Sequence, residues 1–190
     1  MLRSLCVLSL LVGVVACAEP PHKEMNQAQG AIDAARAAGA EQFGAQELAA
    51  AVDLLARSAQ AAAGNDYRLA LSLAIDSRQR AQDAARTAVD NRARARGNAE
   101  RGLAELNVLL SQARNRFDHP AVTKLPRRVL DQARQSVATA EEAMQEARAA
   151  LEKDEYGRAS QRIEGVSQRL QEALRQIDDA TGMSAMRKRR

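Results

Sequence analysis

The sequence predicts an all-α protein: Ala-rich antiparallel helical hairpins in coiled-coil packing, a duplicated hairpin joined by one long or kinked helix. Three observations lead there. The 190 residues hold two Phe, two Tyr and no Trp, whereas a pocket-building enzyme draws on aromatic side chains to shape its cavity. Ala, Leu, Gln, Glu and Arg dominate, a bias that goes with long helices when the apolar period is 3.5 to 3.6 residues. Apolar residues do step by threes and fours along most of the chain, and no run alternates as a strand would.

The first element is not part of that pattern. Met1-Leu2-Arg3 is a basic start, and Leu5 to Val15, "LCVLSLLVGVV", is an apolar run. It is too short to span a bilayer, which needs roughly 20 apolar residues. Length and flanks are those of a secretory signal peptide over residues 1–16. Val14-Val15-Ala16-Cys17 then resembles the bacterial lipobox, aliphatic and small residues ahead of an obligatory cysteine. By that resemblance, Cys17 is alkylated with diacylglycerol, the chain is cut before it and the new amine is acylated. Ala16-Cys17-Ala18 also fits the small-x-small pattern of ordinary signal peptidase, which would discard Cys17 and leave a soluble periplasmic or secreted chain. Cysteine following the aliphatic and small residues directly favours the lipobox. The one other cysteine, Cys6, lies in the removed segment, so the mature chain forms no internal disulfide. Two or three acyl chains give lasting attachment where a single chain binds reversibly. Ala18 stands where enterobacterial lipoproteins kept at the inner membrane carry aspartate, which implies the outer membrane, facing the periplasm. Residues 17–27, the lipidated cysteine and "AEPPHKEMNQ", read as a polar tether.

The helices begin with Ala28, Ile32, Ala35 and Ala38, ending at Gly39. Leu48, Val52, Leu55, Ala59 and Ala62 mark the face of a second helix. Gly64 suits its left-handed terminus, and Asn65 or Asp66 can cap the next. That next helix runs Ala70, Ala74, Ser77, Ala81, Ala84, Ala88, a seam narrow enough for close antiparallel pairing across so short a turn. Ala95, Ala99 and Leu103 are spaced by two fours, as in a stutter, before Leu106, Leu110, Ala113 and Phe117 resume the alternation. One helix from Tyr67 to Phe117 would be roughly 75 Å long. Gly97 and Gly102 offer a place for a kink instead. Asp118-His119-Pro120 closes this first module, 28–117.

A second hairpin, 120–181, repeats the layout. Leu130, Ala133, Val137, Ala140, Met144, Ala147 and Leu151 form one seam. "EKDEYGRA" turns the chain, and Tyr156, Ala159, Ile163, Val166, Leu170, Ala173, Ile177 and Ala180 form the other. Tyr156 stands where Tyr67 does, with an alanine three residues on in both, which is why the hairpin reads as duplicated. Residues 182–190 are a basic tail ending "MRKRR".

The segment from about Ala28 to Ala95 resembles a bacterial envelope family known as domain of unknown function 4398. "AIDAARAAGAEQFGAQELAAA" and "GNDYRLALSLAIDSRQRAQDAA" carry the resemblance, over a little more than a third of the chain. It implies a helical module of the envelope and no activity. Some relatives add a domain that grips peptidoglycan, and nothing in this sequence matches one. The Tyr67 turn also looks like part of a tetratricopeptide repeat, but the other marker positions of that pattern are missing.

Chemistry is sparse. His22 lies in the tether and His119 in a turn, neither with a second histidine or cysteine at ligand spacing. No GxSxG, HExxH or phosphate-loop pattern occurs. The pairs Glu141-Glu142 and Asp178-Asp179 lie off the seams and read as solvated faces. "NRARARGNAER", with Arg92, Arg94, Arg96 and Arg101, offers an anion-binding patch for phosphates, a polymer or an acidic partner. Its rival is ordinary arginine enrichment on an exposed helix. The tail ends in Arg190, not the lysine through which the major murein lipoprotein is joined to the cell wall, so no such link is expected.

The expectation is therefore a non-enzymatic lipoprotein without catalytic residues, metal or cofactor beyond the lipid on Cys17. It would act as a spacer or protein-interaction module, with an envelope protein partner, self-association through the seams open, and no nucleic acid. The alternative is a periplasmic carrier or chaperone-like protein holding apolar clients.

Overall fold

A computed structural model describes residues 19–182. Among them the chain forms α1 (His22–Ala37), α2 (Ala40–Phe43), α3 (Ala45–Ala63), α4 (Tyr67–Phe117), a 3-10 turn (Val122–Lys124), α5 (Arg127–Glu152) and α6 (Tyr156–Thr181). No strand occurs among the described residues, so the all-α expectation holds. The chain divides into two units, Met1–Val89 and Asp90–Arg190. The division falls inside α4, not in the loop after Phe117 where the sequence reading ended its first module.

Several boundaries differ from expectation. The tether is shorter than 17–27, because α1 already starts at His22, with Pro20 and Pro21 accepting its first backbone bonds. Proline directly before a helix suits its fixed φ and the orphan donors there. Gly39 takes φ +86 after α1, and the single turn of α2, which no periodicity announces, follows it. Gly97 and Gly102 make no break, and α4 runs as one 51-residue helix.

In the first unit, Ile32, Ala35, Ala40, Leu48 and Ala51 share a core with Ala81, Ala84 and Ala88. The α3 face is rotated from the expected one. Val52 is 40% exposed, Ala59 is exposed as well, and Ala51 and Ser58 are buried in their stead. The reason is a pair of hydroxyls. Ser58 Oγ donates to Ala70 O and Ser77 Oγ donates to Ala51 O, each at 2.7 Å. These bonds cross between α3 and α4 in opposite directions, which also establishes antiparallel pairing. They need small residues around them, so the alanines and serines turn inward and valine turns out. A buried alanine contributes little hydrophobic free energy, about 0.8 kcal/mol per carbon removed from water. Its use is close approach, extreme at Gly44, where an added Cβ would stand 2.6 Å from Ala84 O.

The second unit has the same ground plan with larger contents. Ala99, Leu106, Leu110 and Ala113 of α4 pack with Ala140, Ala143, Met144 and Ala147 of α5 and with Ile163, Val166, Leu170 and Leu174 of α6. Both predicted seams are recovered in essence, with Val137 and Leu151 half-buried and Ala180 exposed. Val122 from the 3-10 turn closes one end against Ala133, Ala173 and Ile177.

The turns explain why the hairpins look alike. Asn65 and Asp154 both have positive φ, 61° and 60°. Asp66 N and Glu155 N each reach back five residues, to Ala61 O and Ala150 O. The left-handed position expected of Gly64 belongs to Asn65, while Gly64 stays at φ −84. Asn and Asp are the side chains that accept such a backbone most readily. Asp66 then caps α4, its Oδ1 accepting from Leu69 N at 3.0 Å.

Candidate functional site

Val14, Val15, Ala16 and Cys17, the expected cleavage and lipidation residues, lie outside the described residues, as does most of the basic tail. What the structure adds is the distance to the fold: helix begins at His22, five positions after Cys17.

The arginine stretch lies on α4 in the second unit. At about 100° per residue, Arg92 and Arg96 share one face, while Arg94 and Arg101 share nearly the opposite one. The fold therefore does not gather the four guanidinium groups into one patch. Arg92 reaches the turn between α5 and α6, where Nη2 donates to Asp154 Oδ2 at 2.6 Å. The Tyr156 hydroxyl donates to the other oxygen of the same carboxylate. With Tyr156 and Asp154 beside it, the Arg92 guanidinium is held above its usual pKa. Asp154 is held below the ordinary carboxylate range by the Tyr156 hydroxyl, then by Arg92. Arg96 bonds Glu100 at 2.7 Å, one turn along the helix, and Arg101 donates to Asn98. An anion arriving here would compete with Asp154 and Glu100, both already in place. Arg94 remains exposed.

Asp154 is the partner that sequence reading missed. The signal was present: Tyr67 donates to Asn65 at 2.8 Å as Tyr156 does to Asp154. Position 154 is thus the counterpart of a turn residue, aimed at its own tyrosine.

The acid pairs also separate. Asp178 is not a solvated residue. It takes a forked contact from Arg116, Nε to Oδ1 at 2.7 Å and Nη2 to Oδ2 at 3.0 Å, with both side chains less than one-fifth exposed. Bonding to Asp178 raises the Arg116 pKa. Glu141 accepts from Arg114 at 2.8 Å. His119 Nδ1 accepts from Ala121 N at 3.2 Å and so closes a turn. His22 is an exposed helical residue and not part of a tether.

Of the open recesses in the second unit, two carry several apolar side chains. One of about 270 Å³ is lined by Phe117, Val122, Leu130, Arg134 and Val137 among others. The second, about 440 Å³, lies between α4 and α6 beside Ala104, Val108, Leu109, Ser167 and Gln171. Among the described residues, no three His, Cys, Asp or Glu stand close enough to hold a metal ion. No helix among them is long and apolar enough to cross a membrane. Comparison of the chain with protein-family models, with curated proteins and with solved structures finds no match.

Proposed function

We propose that this chain is a non-enzymatic lipoprotein of the bacterial outer membrane, held by lipid on Cys17 and facing the periplasm as a helical spacer or protein-interaction module. The observation that carries the reading is Val14-Val15-Ala16-Cys17 at the end of a basic-then-apolar leader. The start of α1 at His22 supports it, since an anchored cysteine needs only a short link to a folded body. The resemblance of 28–95 to the uncharacterised envelope family supports the same compartment. Polar helix faces laced with ion pairs, such as Arg162 with Glu146 at 2.5 and 3.0 Å, suit a body that presents side chains to a protein partner.

The deciding experiment is the intact mass of the protein extracted from native membranes. A species beginning at Cys17 and heavier by two or three acyl chains is expected. A bare chain beginning at Glu19 would move the protein to the soluble periplasm or beyond. The carrier reading would then lead, and one observation favours it: Val108 is 54% exposed at the rim of the 440 Å³ recess. Cross-linking in cells separates the two, with one stoichiometric envelope protein for the module and many apolar clients for the carrier.

A further inference from the structure

We propose that the end of the first unit that carries the start of α1 is a bilayer-contact surface, with Leu71 and Ile75 seated among lipid headgroups. The proposal rests on the Cys17 anchor and says which part of the fold the anchor presses to the membrane.

Residue levels along two parallel helices locate this end. Arg78 Nη1 donates to Gln27 Oε1 at 2.7 Å, so these two residues lie side by side. From there α1 continues to Ile32 and Ala35, which share a core with Ala81, Ala84 and Ala88, so α1 and this part of α4 run in the same direction. Stepping back equally along both helices, at 1.5 Å per residue, sets Pro21 beside Ser72. The turn at Gly64–Asp66 lies at this same end, since α3 pairs antiparallel with α4. From Pro21 to Cys17 is four residues, a reach of at most about 14 Å when fully extended. Acyl chains on Cys17 therefore keep Pro21 within that distance of the lipid surface, with the first turns of α4 one helix spacing, about 8–10 Å, from it.

Those turns carry apolar side chains that the fold does not use. Leu69 is 48% exposed, Leu71 38% and Ile75 43%, half of the large apolar side chains left most exposed among the described residues. Leu71 and Ile75 are four apart on one helix face, turned away from the seam of Ala70, Ala74 and Ser77, and Leu69 projects on the other flank. Side chains of this kind, a few ångströms into the headgroup boundary, stabilise a surface-bound helix in proportion to the apolar area they bury. Charge does not contribute: Lys23, Arg57 and Arg68 stand against Glu19, Glu24, Asp53, Asp66 and Asp76 at this end. The surface thus suits a zwitterionic leaflet, and an anionic one would bind no better.

The test uses the full lipidated protein, its two or three acyl chains verified by mass, in vesicles of phosphatidylethanolamine and phosphatidylcholine. With Cys17 acylated, a thiol introduced by Leu71→Cys or by Gln46→Cys takes a fluorophore alone. Gln46 is exposed in the first turn of α3, at the far end of the unit. Nitroxide lipids labelled near the headgroup are expected to quench the Leu71→Cys probe at least threefold more than the Gln46→Cys probe. Equal or absent quenching on a correctly acylated protein overturns the contact surface while leaving the anchor intact. A chain without acyl mass removes both. Shielding of the Leu71→Cys probe that needs no lipid and grows with protein concentration assigns the face to a second copy, which also overturns the proposal.

Discussion

Asn65 and Asp154 lie 89 residues apart and take the same left-handed backbone, φ 61° and 60°, each accepting a bond from the tyrosine two positions on. That spacing runs through both hairpins. Leu48, Ala51, Leu55, Ser58 and Ala62 of α3 map onto Val137, Ala140, Met144, Ala147 and Leu151 of α5. Ala74, Ser77, Ala81 and Ala88 map onto Ile163, Val166, Leu170 and Ile177. The register is common and the side-chain sizes are not, so the first hairpin closes on backbone and hydroxyl contacts and the second on branched aliphatic packing.

The turn itself gives the first prediction. Replacing Asn65 by alanine keeps a Cβ in left-handed space without the amide that eases it. A loss of about 1 kcal/mol is expected in urea unfolding, with Asn65→Gly nearly neutral because glycine has no Cβ to strain.

Glycines in the two units should respond in opposite ways. Gly44→Ala drives a methyl into the Ala84 carbonyl and should cost about 1–3 kcal/mol. Gly97 meets nothing within 4 Å, so Gly97→Ala should stabilise α4 by up to about 1 kcal/mol. Gly102→Ala should fall short of that gain, because its Cβ would meet Ile163 Cγ2 at 3.3 Å. Thermal melts of the three variants read all of this at once.

Removing the buried hydroxyl by Ser58→Ala should cost about 1 kcal/mol, the net contribution of one hydrogen bond. The rotated α3 face depends on that bond, and hydrogen exchange at Ala62 and its neighbours should speed up in the same variant. Unchanged exchange would mean the alanine seam alone sets the rotation.

Arg116 and Asp178 form the least exposed ion pair described, linking α4 to α6 within the second unit. Arg116→Ala leaves a carboxylate in a half-closed site and should cost about 2–3 kcal/mol. A double variant with Asp178→Asn should recover part of the loss, and a thermodynamic cycle over the four proteins measures the coupling.

Acid should weaken the second hairpin selectively. Glu146 is held below the ordinary carboxylate range mainly by the Arg162 hydrogen bond, and Asp154 mainly by the Tyr156 hydroxyl. A depressed folded-state pKa contributes stability that is present above the unfolded value and lost as pH falls through the folded one. Stability should therefore hold at neutral pH and decline below the usual carboxylate pKa near 4. Both groups are exposed, so salt should flatten the decline. Asp154→Asn together with Glu146→Gln should flatten it as well, as read by urea midpoints between pH 2 and 6.

The amino-acid sequence by itself determined the helices, their seams in the second hairpin and the antiparallel turns. These follow from local rules: period, caps, proline and small-residue patterning act within a few residues of one another. Tertiary structure alone decided the rest. Which of Ala51 or Val52 faces inward depends on a serine meeting a carbonyl of another helix, and period cannot tell adjacent residues of similar hydrophobicity apart. Whether Arg92, Arg94, Arg96 and Arg101 form one patch depends on helical angle and on Asp154, 62 residues away, arriving beside the first of them. Asp178 looks solvated in a sequence window because its partner Arg116 is equally remote. The exposure of Leu69, Leu71 and Ile75 is of the same kind, since a leucine becomes a surface only when every neighbouring helix has packed elsewhere.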